Sequence, residues 1–73
     1  MATAAELQQQ IEAAIPGAEV NVESPDDVHF TARVVSDRFD GLSRVQQHRL
    51  VYDIFGSRLG DEIHALSLKT ETP

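Results

Sequence analysis

The side chains able to hold a soft metal are three histidines, His29, His48 and His64, in a chain of 73 residues with no cysteine. A structural zinc takes four protein ligands and a catalytic one usually three. No His-x-x-His, His-x-x-x-His or His-Glu-x-x-His spacing occurs, so a self-sufficient mononuclear site is not expected. A partial site completed by another protein stays open. His64 opens the run Ile63-His64-Ala65, and His29 follows the turn Pro25-Asp26-Asp27. On residue type alone, His64 also reads as a carbonyl-bonded histidine at a strand end, and His29 as a solvated surface residue. His48 shares a helical stripe with Val45 and Tyr52 and reads as a packed structural histidine with a hydrogen-bonded ring. The adjacent acids Asp26-Asp27 and Asp61-Glu62 read as solvated turns. Ser36, Ser43 and Ser67 lack a glycine-rich elbow, and no nucleophile–base pair stands out. An enzyme is not expected.

Size narrows the choices further. One domain of this length lies near the lower limit for folding alone, and no disulfide is available to help. Hydrophobic residues make up 41% of the chain, with three Phe and one Tyr. The core must therefore be compact and aliphatic, with little room for an internal ligand, which points to a binding module with a surface site. The net charge is −6, and residues 1–37 carry seven acids against the single base Arg33, while residues 38–73 balance five with five. The acidic half would repel a phosphate backbone. Solubility explains such surplus acid; a basic partner or a high-salt habitat are the other readings. No stretch reaches the roughly 18 apolar residues of a membrane span, and the first residues lack the basic and apolar regions of a secretory signal. A soluble cytoplasmic protein is expected.

The elements that must position these histidines follow from the hydrophobic period. Thr3 and Glu6 fit a capping box, and Leu7, Ile11, Ala14 and Ile15 follow at helical spacing until Pro16-Gly17. Ala18, Val20 and Val22 then alternate with polar residues as a strand. After the turn Ser24-Pro25-Asp26-Asp27, a second strand is expected with Val28, Phe30, Ala32 and Val34 inward and His29, Thr31 and Arg33 outward. The two form an antiparallel hairpin with a four-residue loop. Ser43 and Gln46 suggest a second capping box opening a helix over 44–59, with Val45, His48, Val51, Tyr52, Phe55 and Leu59 buried and Gly60 as C-cap. Leu50 and Ile54, on another side, either receive the first helix, which is the favoured reading, or form an exposed contact patch. A third strand is expected over 63–70, where His64 shares parity with Leu66 and Leu68. The order α-β-β-α-β implies an α+β domain: a mixed three-stranded sheet with both helices on one face.

Three phrases carry more. They are Phe39-Asp40-Gly41-Leu42-Ser43-Arg44-Val45, His48-Arg49-Leu50-Val51-Tyr52, and Ile63-His64-Ala65-Leu66-Ser67-Leu68-Lys69-Thr70 closing on Thr72-Pro73. Together, from about Thr3 to Pro73, they resemble the BolA family, with its F-[DE]-G-x-[SR]-x-x-x-[RQ]-H-R-x-V-[YN] and I-H-A-[LF]-x-x-K-T-x-T-P phrases. The resemblance implies a BolA/KH-like domain over 1–73, without the C-terminal helix that relatives usually carry beyond Thr-x-Thr-Pro. It implies an adaptor that pairs with a monothiol glutaredoxin and co-ligates a glutathione-containing [2Fe–2S] cluster for iron–sulfur trafficking or iron regulation. His64 matches the family's cluster-binding histidine, and His29 falls in the hairpin region where members carry a second ligand, Cys or His. Imidazole can replace thiolate on one iron of such a cluster, so these two histidines with thiolates from a partner would fill four positions. No cluster is expected in the isolated chain, which would be a monomer or weak homodimer.

The alternative is a KH-like nucleic-acid-binding transcriptional regulator, with DNA contact through Arg44 and Arg49. KH recognition needs a GXXG loop. Gly56-Ser57-Arg58-Leu59-Gly60 has one residue too many, and no exposed aromatic pair offers base stacking. Weak, salt-sensitive binding is the most this reading supports.

Overall fold

The computed structural model describes residues 2–73. Helix α1 (Ala4–Ala14) starts where Thr3 Oγ1 accepts the Glu6 N–H at 3.2 Å. Only half of the capping box forms, because the Glu6 carboxylate turns instead to Arg58 Nη2 at 2.6 Å. Leu7, Ile11 and Ile15 are buried, whereas Ala14 faces solvent. Strands β1 (Glu19–Glu23) and β2 (His29–Val35) pair antiparallel, with Val20 opposite Val34 and Val22 opposite Ala32. Helix α2 (Arg44–Phe55) carries the full capping box of Ser43 and Gln46. Strand β3 (Ala65–Glu71) then lies parallel to β2, giving the sheet order β1-β2-β3.

Burial alternates along each strand. Val20, Val22, Phe30, Ala32, Val34 and Leu66 are buried on one face; Asn21, Thr31, Arg33, Ser67 and Lys69 are exposed on the other. Both helices contribute to the core on the covered face, α1 through Leu7 and Ile11, α2 through Val51 and Phe55. A 3-10 turn (Asp37–Phe39) completes the core with the fully buried Phe39. The result is the expected α+β domain with a mixed three-stranded sheet.

Further expectations need correction. Val28 lies outside β2 and is 40% exposed, so the hairpin loop runs over 24–28, five residues. The polar side chains of the loop bond its backbone, with Asp26 Oδ1 accepting the Val28 N–H at 3.1 Å. Helix α2 stops at Phe55, where Gly56 adopts φ +53° as its C-cap, a conformation other residues rarely take. A further 3-10 turn (Gly56–Arg58) follows, and Gly60 serves the next turn, donating to the Ile63 carbonyl at 2.7 Å. Val45, finally, is 66% exposed.

Gln47 explains the Val45 error. The inward stripe of α2 runs through the half-buried Gln47 and the buried Val51 and Phe55, spaced four apart. Gln47 Nε2 donates to the carbonyls of Phe39 and Leu42 at 3.2 and 3.0 Å, and its Oε1 accepts from Thr70 Oγ1 at 2.7 Å. A polar side chain thus holds the position facing the connector and the end of β3, and Val45 is rotated outward. Ile54 is partly buried against the core, while Leu50 is 38% exposed, as the contact-patch reading has it.

Replacing Val51, fully buried, by Ala should cost about 2 kcal/mol of unfolding free energy. Val45→Ala should stay within about 0.5 kcal/mol of the parent. Urea denaturation of both variants checks the assigned orientation of α2, and equal losses would contradict it.

Candidate functional site

Parallel strands begin at the same end of a sheet, and the register aligns His29 with Ala65. His64 immediately precedes that pair. The backbone N–H groups of His64 and Ala65 both donate to the Val28 carbonyl, at 3.0 and 3.2 Å. The two imidazoles consequently meet, with ring centroids 5.3 Å apart and planes at 78°. His64 is exposed, and the buried place before β3 belongs to Ile63. The parity shared with Leu66 and Leu68 does not extend to His64 because β3 spans Ala65–Glu71, starting two residues later than the expected 63–70.

The loop before β2 orients His29. Asp26 Oδ1 accepts the N–H groups of Val28 at 3.1 Å and of His29 at 2.8 Å, while Oδ2 stands 2.7 Å from His29 Nδ1. Ser24 Oγ donates to the His29 carbonyl at 2.6 Å and accepts from the Asp27 N–H at 2.9 Å. Asp27 takes φ +61°, a turn conformation that Asp tolerates better than most residues. The His29 N–H, the His29 ring and the Val28 N–H, in that order, hold the Asp26 carboxyl down from the usual 3.8 to about 2. The acid read from sequence as a merely solvated turn residue therefore shapes the loop. Asx-turn bonding two or three residues ahead was the available signal.

The spacing of the rings suits a shared metal. With a metal–nitrogen bond of about 2.1 Å and near-tetrahedral angles, two imidazoles on one ion have centres roughly 5 Å apart. Among the described residues, no group of three or more His, Cys, Asp or Glu side chains is placed to hold an ion. The His29–His64 pair thus offers two imidazole donors at most.

His48 stands apart from this pair. It is half-buried beside Tyr52, rings edge-on with centroids 6.3 Å apart, and lines grooves with Arg44, Arg49 and residues 68–71. It lies outside the buried core cluster. Arg44 and Arg49 are exposed on α2, with Arg44 near Lys69 toward the far end of β3. Arg33 and Arg58 are engaged by Glu71, Glu6 and Glu62. Among the described residues, no helix is long and apolar enough to cross a membrane.

The family model described as BolA-like protein matches residues 5–73. The solved structure of a BolA protein homologue from Coxiella burnetii superposes with a TM-score of 0.85 at 42% identity, covering 100% of this chain and 94% of that one. The BolA domain of SufE1 from Arabidopsis thaliana gives 0.85 at 33% identity, covering 96% and 91%. A curated relative from Vibrio cholerae, named DNA-binding transcriptional regulator BolA, is 44% identical over 52 residues, 71% of this chain and 49% of that protein. The chain spans about half or less of the length of such curated relatives.

Because the folded value of Asp26 lies below its unfolded one, its carboxylate supports the loop above about pH 4 and loses that effect as pH falls toward 2. The amide resonances of Val28 and His29 should therefore move with a midpoint near pH 2. Asp26→Asn should abolish the movement. A midpoint at 3.8 would mean that the loop bonds do not form in solution.

Proposed function

The chain belongs to the BolA-like family, and on that footing we propose that it is a non-catalytic adaptor that shares a glutathione-containing [2Fe–2S] cluster with a monothiol glutaredoxin. The observation that carries the proposal is the exposed pairing of His29 and His64 at 5.3 Å. Two neutral imidazoles supply two of four ligand positions. Glutaredoxin and glutathione thiolates would supply the others. The cluster is the cargo of this arrangement, passed on or used to report iron status, and the chain contributes ligation and exposure to the partner. Its setting in the cytoplasm, and its state as a monomer or weak homodimer before the partner binds, belong to the same proposal.

What these residues do chemically follows from their type. An imidazole in place of a thiolate removes a negative charge from the iron it binds, which changes the cluster's potential and optical transitions. Exposure at the start of two strands lets a partner approach both rings from solvent. The strands behind them belong to the hydrogen-bonded sheet, so the pair is presented on a firm support.

A second reading, as a DNA-binding regulator, is favoured by the name of the Vibrio cholerae relative. Its electrostatic basis in this chain is thin. Arg44, Arg49 and Lys69 are exposed on a protein of net charge −6, and two of the other arginines are held in ion pairs. Nonspecific affinity rests on clustered cations releasing counterions.

Mixing the chain with a monothiol glutaredoxin, glutathione, iron and sulfide should give an absorption and circular dichroism spectrum distinct from that of the glutaredoxin-only cluster. His64→Ala should abolish the difference or make the cluster labile, and His29→Ala should weaken it. An unchanged spectrum and cluster lifetime in His64→Ala would remove the ligand assignment. Fluorescence anisotropy with duplex DNA should show binding weaker than micromolar at about 150 mM salt; tighter binding would put the regulator reading first.

A further inference from the structure

We infer that Asp26 is a positioning residue for His29, fixing the neutral ring with its proton on Nδ1 and leaving Nε2 as the lone pair presented to a metal. An ionised carboxylate has acceptors only. Its Oδ2, 2.7 Å from Nδ1, is satisfied only when Nδ1 carries a proton. The carboxylate is not a swinging surface acid, because its Oδ1 is held by the Val28 and His29 backbone N–H groups. Ser24 braces the same turn from its other side through the His29 carbonyl and the Asp27 N–H. Ring and carboxylate are therefore fixed by one short segment, and the tautomer is settled before any partner arrives. In metal sites, such a carboxylate behind a histidine aligns the ring and raises its basicity.

Loop shaping and tautomer control separate in Asp26→Asn. The amide oxygen can still accept the two backbone N–H groups, but the amide nitrogen then faces Nδ1 as a donor. Nδ1 must become the acceptor, so the ring proton moves to Nε2 and blocks the ligand position. Turning the amide over would restore the ring bond only by losing both backbone bonds. The variant therefore keeps the loop and inverts the ring.

The consequence for the cluster rests on the proposed ligand role of His29, whereas the tautomer is a property of the free chain. Long-range proton–nitrogen correlation spectra of the 15N-histidine-labelled free chain, recorded at about pH 9 so that imidazoles are neutral, read it directly. His29 should be protonated at Nδ1 in the parent and at Nε2 in Asp26→Asn, with His64 unchanged and the thermal midpoint little altered. With glutaredoxin, glutathione, iron and sulfide, Asp26→Asn should shorten the lifetime of the mixed cluster about tenfold. A parent His29 protonated at Nε2, or an Asp26→Asn variant still protonated at Nδ1, would overturn the inference. Inverted tautomer with a cluster as long-lived as the parent's would overturn the positioning role, and the companion His29→Ala variant separates the causes. If His29→Ala shortens the lifetime, the ligand reading stands and Asp26 alone is misassigned. If it too has no effect, His29 is not a ligand and Asp26 has none to position.

Discussion

Everything distinctive about this chain depends on the parallel pairing of β2 and β3 in a register that sets His29 opposite Ala65. The Val28 carbonyl anchors that register by accepting two successive N–H groups of the incoming strand. Antiparallel pairing of the same strands would place their starts at opposite ends. A shift of one residue would turn the side chains of β3 to the other face. The hydrophobic alternation of Phe30, Ala32 and Val34 against Leu66 and Leu68 resists such a shift, since it would expose one set. The juxtaposition of the two histidines is thus a by-product of burying a small core correctly.

That core has little to spare. Its buried side chains come from every helix and strand and from the connector, with Phe39 wholly enclosed. Polar ties fix the helices where apolar contact runs short. Arg58 links the turn after α2 to Glu6 and Gln10 of α1. Tyr52 reaches the Leu66 carbonyl of β3 at 2.9 Å, and Gln47 joins the connector to Thr70. Arg58 is partly exposed, so its ion pairs contribute modestly in water. Their use is to set where the helices lie and so keep the crossover from β2 to β3 in place.

The sequence announced much of this and hid some of it for physical reasons. Element order, strand faces and the mixed sheet were legible because the hydrophobic period switches cleanly between 3.6 and 2. The Ser43–Gln46 cap was legible because its residue types have few other reasons to occur at that spacing. The buried stripe of α2 was misread because a glutamine occupies one of its positions, and apolar counting passes over a satisfied polar side chain. The early helix end at Gly56 was missed because a positive φ is a property of the backbone, visible in sequence only as one glycine among four. His29 and His64 were separately legible as candidates through the family phrases. Their meeting depends on a parallel register between positions 36 residues apart, which no local pattern reports. Asp26 was hidden by its commonness, since an acid in a turn is ordinary until its partners are known.

The central claim is that two histidines of this chain meet to ligate a partner's cluster. Pulsed electron paramagnetic resonance on the reduced mixed complex addresses it most directly, with this chain labelled with 15N-histidine and glutaredoxin unlabelled. The account predicts hyperfine couplings to two 15N nuclei of this chain, at a strength that only direct iron–nitrogen bonds produce. A cluster assembled in the complex without any such coupling would contradict it.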